Sequence, residues 1–505
     1  MTGEHITFTG FGEPAVHLTV DFVVVGSGAG GASAAVILAR AGYSVAIVEA
    51  GPWRAPEDYP STTYGAMRDL FSDWGALVTQ SRALWPIVQA SCVGGTTVVN
   101  SAIIVRTPGD CFDRWTREYG IDGESLSRRV WEHQDRLESE LTAQVVPPDA
   151  RGYSNVLAMD AAEKLGWQSH YMVRSVTNCE GTGQCLQGCK KGRKQSTNLN
   201  YVPEVLQRGG VVMSCAKVER ITSTGNTATG VTGHLVDPVS RKKGSPFFVR
   251  AKRAVMVAAS ATQTPILLAK SGFKSKPLGT LFRAHPGTGI FGVYDNPVDQ
   301  NVGATQGWAS TAFRVDPGFK LETLAIPPEM VAGRLPGGGR ELVRRFREYR
   351  HIAMWVAAVR AESAGTVKPG LFGNTVVRYQ LDEPDMRRFR SGLAMVAKAH
   401  FAAGAREIIP GIFGLPYKLN SDQISLIENG PLDPRCYIAI LSHLFGGCPM
   451  SRDPSLGVVD EHGKVHGVDG LYVADAAAIP TTIGVNPQHT IMGLAAAWAE
   501  RLADA

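Results

Sequence analysis

Short apolar runs closed by glycine set the pattern of the first fifty residues. Phe22-Val-Val-Val25 runs into Gly26-Ser-Gly28-Ala-Gly30-Gly31, the small-residue stretch Ala32–Gly42 follows, and Tyr43-Ser-Val-Ala-Ile-Val48 ends at Glu49. Unbroken apolar runs of this length between turn residues predict strands buried on both faces, with a closely packed helix between them. Similar runs at Val211–Val218 and Ala251–Ser260 predict further strands, and Pro265 is placed to start a helix, where its missing donor is not needed. The charged segment Arg114–Leu141 reads as helical. Residues 286–425 differ: alternating runs such as Thr375–Gln380 and helix-like ones such as Ser391–Arg406 lie between Pro-Gly turns, which predicts a sheet-and-helix substrate domain. From about residue 440 the small-residue style returns in Gly470-Leu-Tyr-Val-Ala-Asp475, and an apolar helix is predicted from Thr490 to Leu502. The reading is an α/β chain whose nucleotide-binding domain is assembled from separated segments. Its expected divisions are 1–110, a connecting stretch 111–200, 201–285, a substrate domain 286–435, and a last part 436–505.

Composition adds bounds. With 44% apolar and 19% charged residues the chain is an ordinary globular one. Its net charge of +5 is mild and the basic residues are scattered, the densest group being Arg241-Lys-Lys. That excludes a nucleic-acid stripe and leaves a modest pull on an acidic redox partner. No apolar run is long enough to span a membrane, and Met1-Thr-Gly-Glu-His lacks the features of a secretory signal, so a cytoplasmic location is expected. Eight cysteines in 505 residues do not make a disulfide scaffold. Oligomeric state is not legible.

The glycine motif carries chemistry. Gly26 permits a tight turn, Gly28 lets a pyrophosphate approach the backbone, Gly31 lets helix meet strand, and Glu49 is placed to accept from a ribose. Together they predict an adenine dinucleotide. The paired glycines of Gly94-Gly95-Thr96-Thr-Val-Val-Asn100 let the backbone approach a bound group. His443, before Gly446-Gly447-Cys448, and Asn486, before Pro487, also lie beside glycine-rich turns. A histidine there can take a hydroxyl proton and an amide can orient the oxygen, although a turn-bound histidine and a helix-capping asparagine fit the residues equally. Cys179, Cys185 and Cys189 sit in a glycine-rich loop. Three thiolates can hold a three-iron cluster or three corners of a four-iron one, or simply fill a tight loop. Cys92, Cys111, Cys215, Cys436 and Cys448 are scattered and read as packed.

The motifs from Gly26 through Glu49, Gly94–Asn100, Ala259-Ser-Ala-Thr-Gln-Thr-Pro265 and Gly470–Asp475 to Asn486-Pro487 resemble those of the glucose–methanol–choline (GMC) oxidoreductases, which are FAD enzymes. The resemblance implies the GMC architecture, like that of p-hydroxybenzoate hydroxylase, with an antiparallel sheet and helices in the second domain. It implies FAD held by Gly26, Gly28, Gly31, Glu49, Gly95, Thr96, Asn100, the Val218 backbone, Asp475 and Pro487. It implies catalysis by His443 as base and Asn486 as the positioner of an alcohol oxygen, with hydride passing to the flavin N5. The cysteine spacing is similar to that of bacterial FAD sugar dehydrogenases. From that likeness a 3Fe-4S cluster at Cys179, Cys185 and Cys189 is expected, relaying electrons to a cytochrome, quinone or other carrier. The neighbouring Gly188–Thr197 stretch also resembles long-chain alcohol oxidases, which leaves open an oxygen-dependent oxidase without a cluster. A lyase of the same fold is a further alternative. The substrate expected is a small-molecule alcohol with apolar character, with Gly318–Pro328 as a candidate substrate-facing segment. His285 reads as architectural at a domain crossing, and His489, three residues past Asn486, departs from the family pattern.

Overall fold

A computed structural model describes residues 3–504. Its first large sheet draws strands from distant parts of the chain. Val16–Val25 lies between Val45–Val48 and Lys243–Val257, all three parallel. Val211–Met213 and then Glu4–Ile6 continue the sheet beyond Val45–Val48. On the far side, Leu471–Val473 pairs with the end of Lys243–Val257, whose earlier part carries the antiparallel hairpin of Thr227–Val236 and Ala216–Thr224. Val23, Val24 and all of Val45–Val48 are buried, which is why these strands read as unbroken apolar runs. Helices Ala29–Arg40 and Gln488–Ala503 pack together over one face through Ala35, Leu38, Met492 and Ala499.

The second sheet is antiparallel throughout, in the order Glu407–Ile409, Arg283–Val293, Ile352–Val359, Phe319–Thr323, Trp308–Ser310, His170–Tyr171. Helix Glu383–Ala402 covers one face, with Phe389, Leu393 and Ala397 packed in the same core as Phe319, Leu321 and Trp355. Ile440–Phe445 pairs with the first half of Arg283–Val293 and sets His443 opposite His285. The chain after residue 436 therefore serves both sheets.

Several elements depart from the sequence pattern for local reasons. Arg114–Leu141 is two helices, Gly109–Tyr119 and Gly123–Glu140, because Gly120 takes a left-handed conformation (φ 68°) that ends the first. Val211–Val218 is broken at Cys215, whose φ of 52° turns the chain between two strands. The helix expected at Ser391 begins at Glu383, where Asp382 caps Asp385 N and Pro384 sits in the first turn. Thr264–Lys270 does start with Pro265 in its first turn.

Candidate active site

The first strand delivers Gly26 in a left-handed turn (φ 99°) at the start of helix Ala29–Arg40. A Cβ at Gly26 would lie 2.4 Å from Ala258 O, and one at Gly31 would lie 2.0 Å from Gly26 O, so both positions are closed by backbone. Gly28 differs. A Cβ there would meet nothing nearer than Gly95 Cα at 3.9 Å, so the backbone borders open space. The helix that follows has no side-chain cap and no acid in its first turn, leaving its first amides free for an anion. A dinucleotide phosphate fits this donor set.

Ser27 ties the cradle together. Its N and Oγ donate to Glu49 Oε2 at 3.0 and 2.7 Å, and its Oγ accepts from Gly94 N at 2.9 Å. Glu49 Oε1 accepts from Gly51 N at 2.9 Å, and burial pushes this carboxyl upward. Gly95 is left-handed (φ 52°), and Thr96, exposed, accepts from Ala90 N at 3.3 Å. Asn100 Oδ1 accepts from Ala102 N at 2.9 Å while its Nδ2 donates to Gln488, two residues beyond Asn486. Val218 lies half-buried opposite Gly233, and Ala216 N donates to the Glu49 carbonyl at 2.8 Å, so this strand runs past the acid. Asp475 accepts from Ser260 N and Ala477 N at 2.7 Å each and from Thr264 Oγ1 at 2.5 Å, with burial raising its carboxyl to about 6. Pro487, buried, precedes the last helix.

His443 and Asn486, 43 residues apart, meet with Nε2 and Nδ2 separated by 3.3 Å. Burial, reinforced by the Lys320 charge, holds the His443 imidazole down at about 3. His285 stands against it, Nδ1 to Nδ1 at 3.4 Å, and its Nε2 accepts from Gly484 N at 3.0 Å. A neutral His285 bound this way carries its proton on Nδ1, facing His443. Lys320 lies on the other side. Its Nζ donates to Asn486 Oδ1 and pairs with Glu322, and both side chains are almost wholly buried. Burial draws the ammonium down to about 7. Gln306 Nε2 donates to Glu322 Oε2 at 2.6 Å.

The Asn486 amide has one donor end and one acceptor end, so it links the two titrating neighbours. With Lys320 charged, the amide oxygen faces the ammonium and the NH2 faces a proton-free His443 Nε2, which places the imidazole proton against His285. With Lys320 neutral the amide can turn and accept from His443 Nε2–H, the tautomer that the Gly484–His285 bond favours. The two arrangements conflict only at the His285–His443 contact, the longest of the series.

Sequence reading missed Lys320 and Glu322 because they occupy alternate positions of an otherwise apolar strand. Phe319 and Leu321 face the helix-covered core, while the charged pair faces Asn486. His285 joins this group, and the only sequence signal for it was its place in His285-Pro286-Gly287. His489 turns away, its buried ring bonding Glu138 Oε1 at 3.0 Å.

The expected cluster at Cys179, Cys185 and Cys189 finds no support in the geometry. Among the described residues no three His, Cys, Asp or Glu side chains are grouped to hold a metal ion. Cys179 packs against Val146, Ala150 and Ala304, whereas Cys189 lies near Tyr59 and Lys194. Cys185 Sγ accepts from Arg174 Nη2 at 3.0 Å. Burial would raise this thiol, but the Arg174 and Lys194 charges hold it down at about 7. Lys194 Nζ also donates to Asn100 O at 2.8 Å and Cys185 O at 3.0 Å. Two cationic side chains thus bind the Cys185 residue, and the loop braces the Gly94–Asn100 segment.

Comparison with known proteins bears on the family and the fold. Two family models, both described as GMC oxidoreductase, match residues 20–287 and 362–495. An uncharacterized GMC-type oxidoreductase of Mycobacterium tuberculosis is 35% identical over 486 residues, 95% of this chain and 75% of the relative. A long-chain-alcohol oxidase of Arabidopsis thaliana is 27% identical over 522 residues, 96% of this chain and 66% of the relative. Among solved structures, formate oxidase of Aspergillus oryzae aligns with a TM-score of 0.71 at 18% identity, over 98% of this chain and 99% of that one. A pyridoxine 4-oxidase aligns with a TM-score of 0.69 at 16% identity, over 95% and 98%. These structural likenesses bear out the α/β fold expected from the sequence. Among the described residues no helix is long and apolar enough to cross a membrane.

Proposed function

The chain belongs to the GMC oxidoreductases, and from that membership we propose that it oxidises an alcohol to an aldehyde or ketone with FAD. The observation that carries the reading is the meeting of His443 with Asn486 at 3.3 Å, beside a segment hydrogen-bonded to Asn100 of the cradle. FAD, when bound, supplies the hydride acceptor. Gly28, with the first amides of the helix, would hold the pyrophosphate in the turn that Gly26 and Gly31 keep tight; Glu49 would hold the ribose and the Val218 backbone the adenine. Gly95, Thr96, Asn100, Asp475 and Pro487 would flank the flavin end.

In this reading His443 Nε2, proton-free while Lys320 is charged, takes the hydroxyl proton. Asn486 Nδ2 donates to the alcohol oxygen and fixes which carbinol hydrogen is presented. Lys320 acts through Asn486 as a positioning residue. The described residues offer no group of three metal ligands to an iron–sulfur relay, so no step is routed through one, and dioxygen is the acceptor to test first. Similarity to long-chain-alcohol oxidases supports a substrate with apolar character.

The test is anaerobic addition of primary alcohols of rising chain length to the flavin-loaded protein. Bleaching of the oxidised flavin band, reversed by air with formation of hydrogen peroxide, is the expected result. His443→Gln should keep its flavin and bleach roughly 10²- to 10⁴-fold more slowly. An alcohol consumed without bleaching would mean lyase chemistry and overturn the reading.

A further inference from the structure

The hairpin of Thr366–Pro369 and Thr375–Arg378 ends in Gly370-Leu-Phe-Gly-Asn374. Its inward residues, Val367 and Val377, are 1% and 0% exposed and anchor it to the core, whereas Leu371 and Phe372 at the tip are 94% and 92% exposed. Two adjacent large apolar side chains with almost no protein contact are costly in water and stabilise nothing in the fold.

The hairpin is flanked by positive charge. Lys270 Nζ donates to Gly373 O at 2.7 Å, which ties the helix Thr264–Lys270 and the loop after it to the hairpin. Lys274, Lys276 and Lys368 line one groove of about 470 Å³ between these two segments, and no carboxylate is among its lining. Lys270, Lys274, Lys276, Lys368 and Arg378 are all exposed, and among the described residues none is in a salt bridge. Segments 264–279 and 366–378 contain no Asp or Glu. The Val239 turn, also an exposed apolar tip beside a basic run, differs: Asp237 lies in that turn, and Lys243 pairs with Glu219 at 2.5 Å.

We propose that this hairpin docks the protein on an anionic lipid surface, Leu371 and Phe372 entering the headgroup boundary and the five cations facing lipid phosphates. A projecting apolar apex with lysines set back around it matches the layered chemistry of a bilayer, apolar within and anionic at its face. A flat acidic protein face would meet the charges and leave the apex without a partner.

The test is sedimentation of the full-length, flavin-loaded protein with vesicles of phosphatidylcholine alone or mixed with phosphatidylglycerol. The protein should sediment with the anionic vesicles, be released by high salt, and bind the neutral ones weakly. Leu371→Ser with Phe372→Ser should weaken partitioning more than tenfold. Lys274→Gln with Lys276→Gln should weaken it roughly 30-fold, at about 1 kcal/mol for each lysine. Unchanged flavin content and thermal midpoint establish that each variant is folded, and the salt dependence of the unaltered protein tests the charge contribution without any variant. The proposal fails if the protein sediments with neither vesicle, or with both equally. It also fails if the serine variant binds as well as the parent, which would make this a charge-only surface suited to an acidic protein.

Discussion

A lysine whose side chain is 2% exposed must keep its charge by contact or lose it, and Lys320 does the first through Glu322. Removing one partner alone should therefore destabilise the fold more than removing both. Lys320→Met leaves the Glu322 carboxylate with Gln306 as its remaining partner and should cost about 3–5 kcal/mol. Adding Glu322→Gln should recover most of that, as read from urea midpoints. The pH profile of turnover separates positioning from stability. If Asn486 orients correctly only while Lys320 is charged, turnover falls as pH rises past about 7, the value to which burial draws the ammonium, with Glu322 acting to move that limb upward. The folded double variant should lack the limb; a double variant with the parent profile would remove Lys320 from the mechanism. His443 and Asn486 were legible at this scale because their flanking glycine turns are written in the sequence. Lys320 was not, because nothing local distinguishes a buried ionic pair from two surface charges on a strand.

The glycine turn separates two kinds of glycine that one motif writes alike. Gly31→Ala would put a methyl 2.0 Å from Gly26 O, where only backbone movement can relieve it, and should lower the thermal midpoint of the cofactor-free protein. Gly28→Ala has room in the protein and an allowed backbone (φ −68°, ψ −165°), so it should fold normally yet hold less flavin, its methyl entering the phosphate's space. Equal flavin retention by Gly28→Ala and the parent would move the phosphate elsewhere. Strands and helices of the first sheet were readable because double burial writes itself as apolar runs. The cluster expected at the cysteine loop lacks structural support because ligand spacing along the chain does not say where the sulfurs point. Arg174, only five residues before Cys179 in sequence, decided that by bonding Cys185.

Across the whole molecule, burial of neutral histidines sets the response to acid. His400 stacks on Trp355 with ring centroids 4.1 Å apart, and its nitrogens meet Tyr294 Oη at 2.9 Å and Ile290 O at 3.1 Å. Burial lowers it to about 3 and His285 well below its ordinary 6.5. For both, the unfolded chain binds the proton that the folded one refuses, so stability is full above pH of about 6.5 and is lost as pH falls below it. His400 should cost about 2 kcal/mol at pH 5 relative to pH 7, and His443, buried and likewise held at about 3, a similar amount. Asp475 has the opposite sign: its carboxyl is raised to about 6 in the fold, so its protonation returns about 1 kcal/mol between pH 7 and pH 5. The paired carboxylates, such as Glu362 beside Arg114, are lowered and lose their contribution only below about pH 4.5, outside this window. The net expectation is a loss of stability from pH 7 to pH 5, seen as a lower urea midpoint. Both histidines belong to the second sheet and its covering helix, the layer that also carries His443, so the same acid step should release flavin as that layer opens. His400→Phe should remove one histidine's share, about 2 kcal/mol, from the difference between the two pH values. An unchanged difference would mean that the folded protein already accepts a proton at His400.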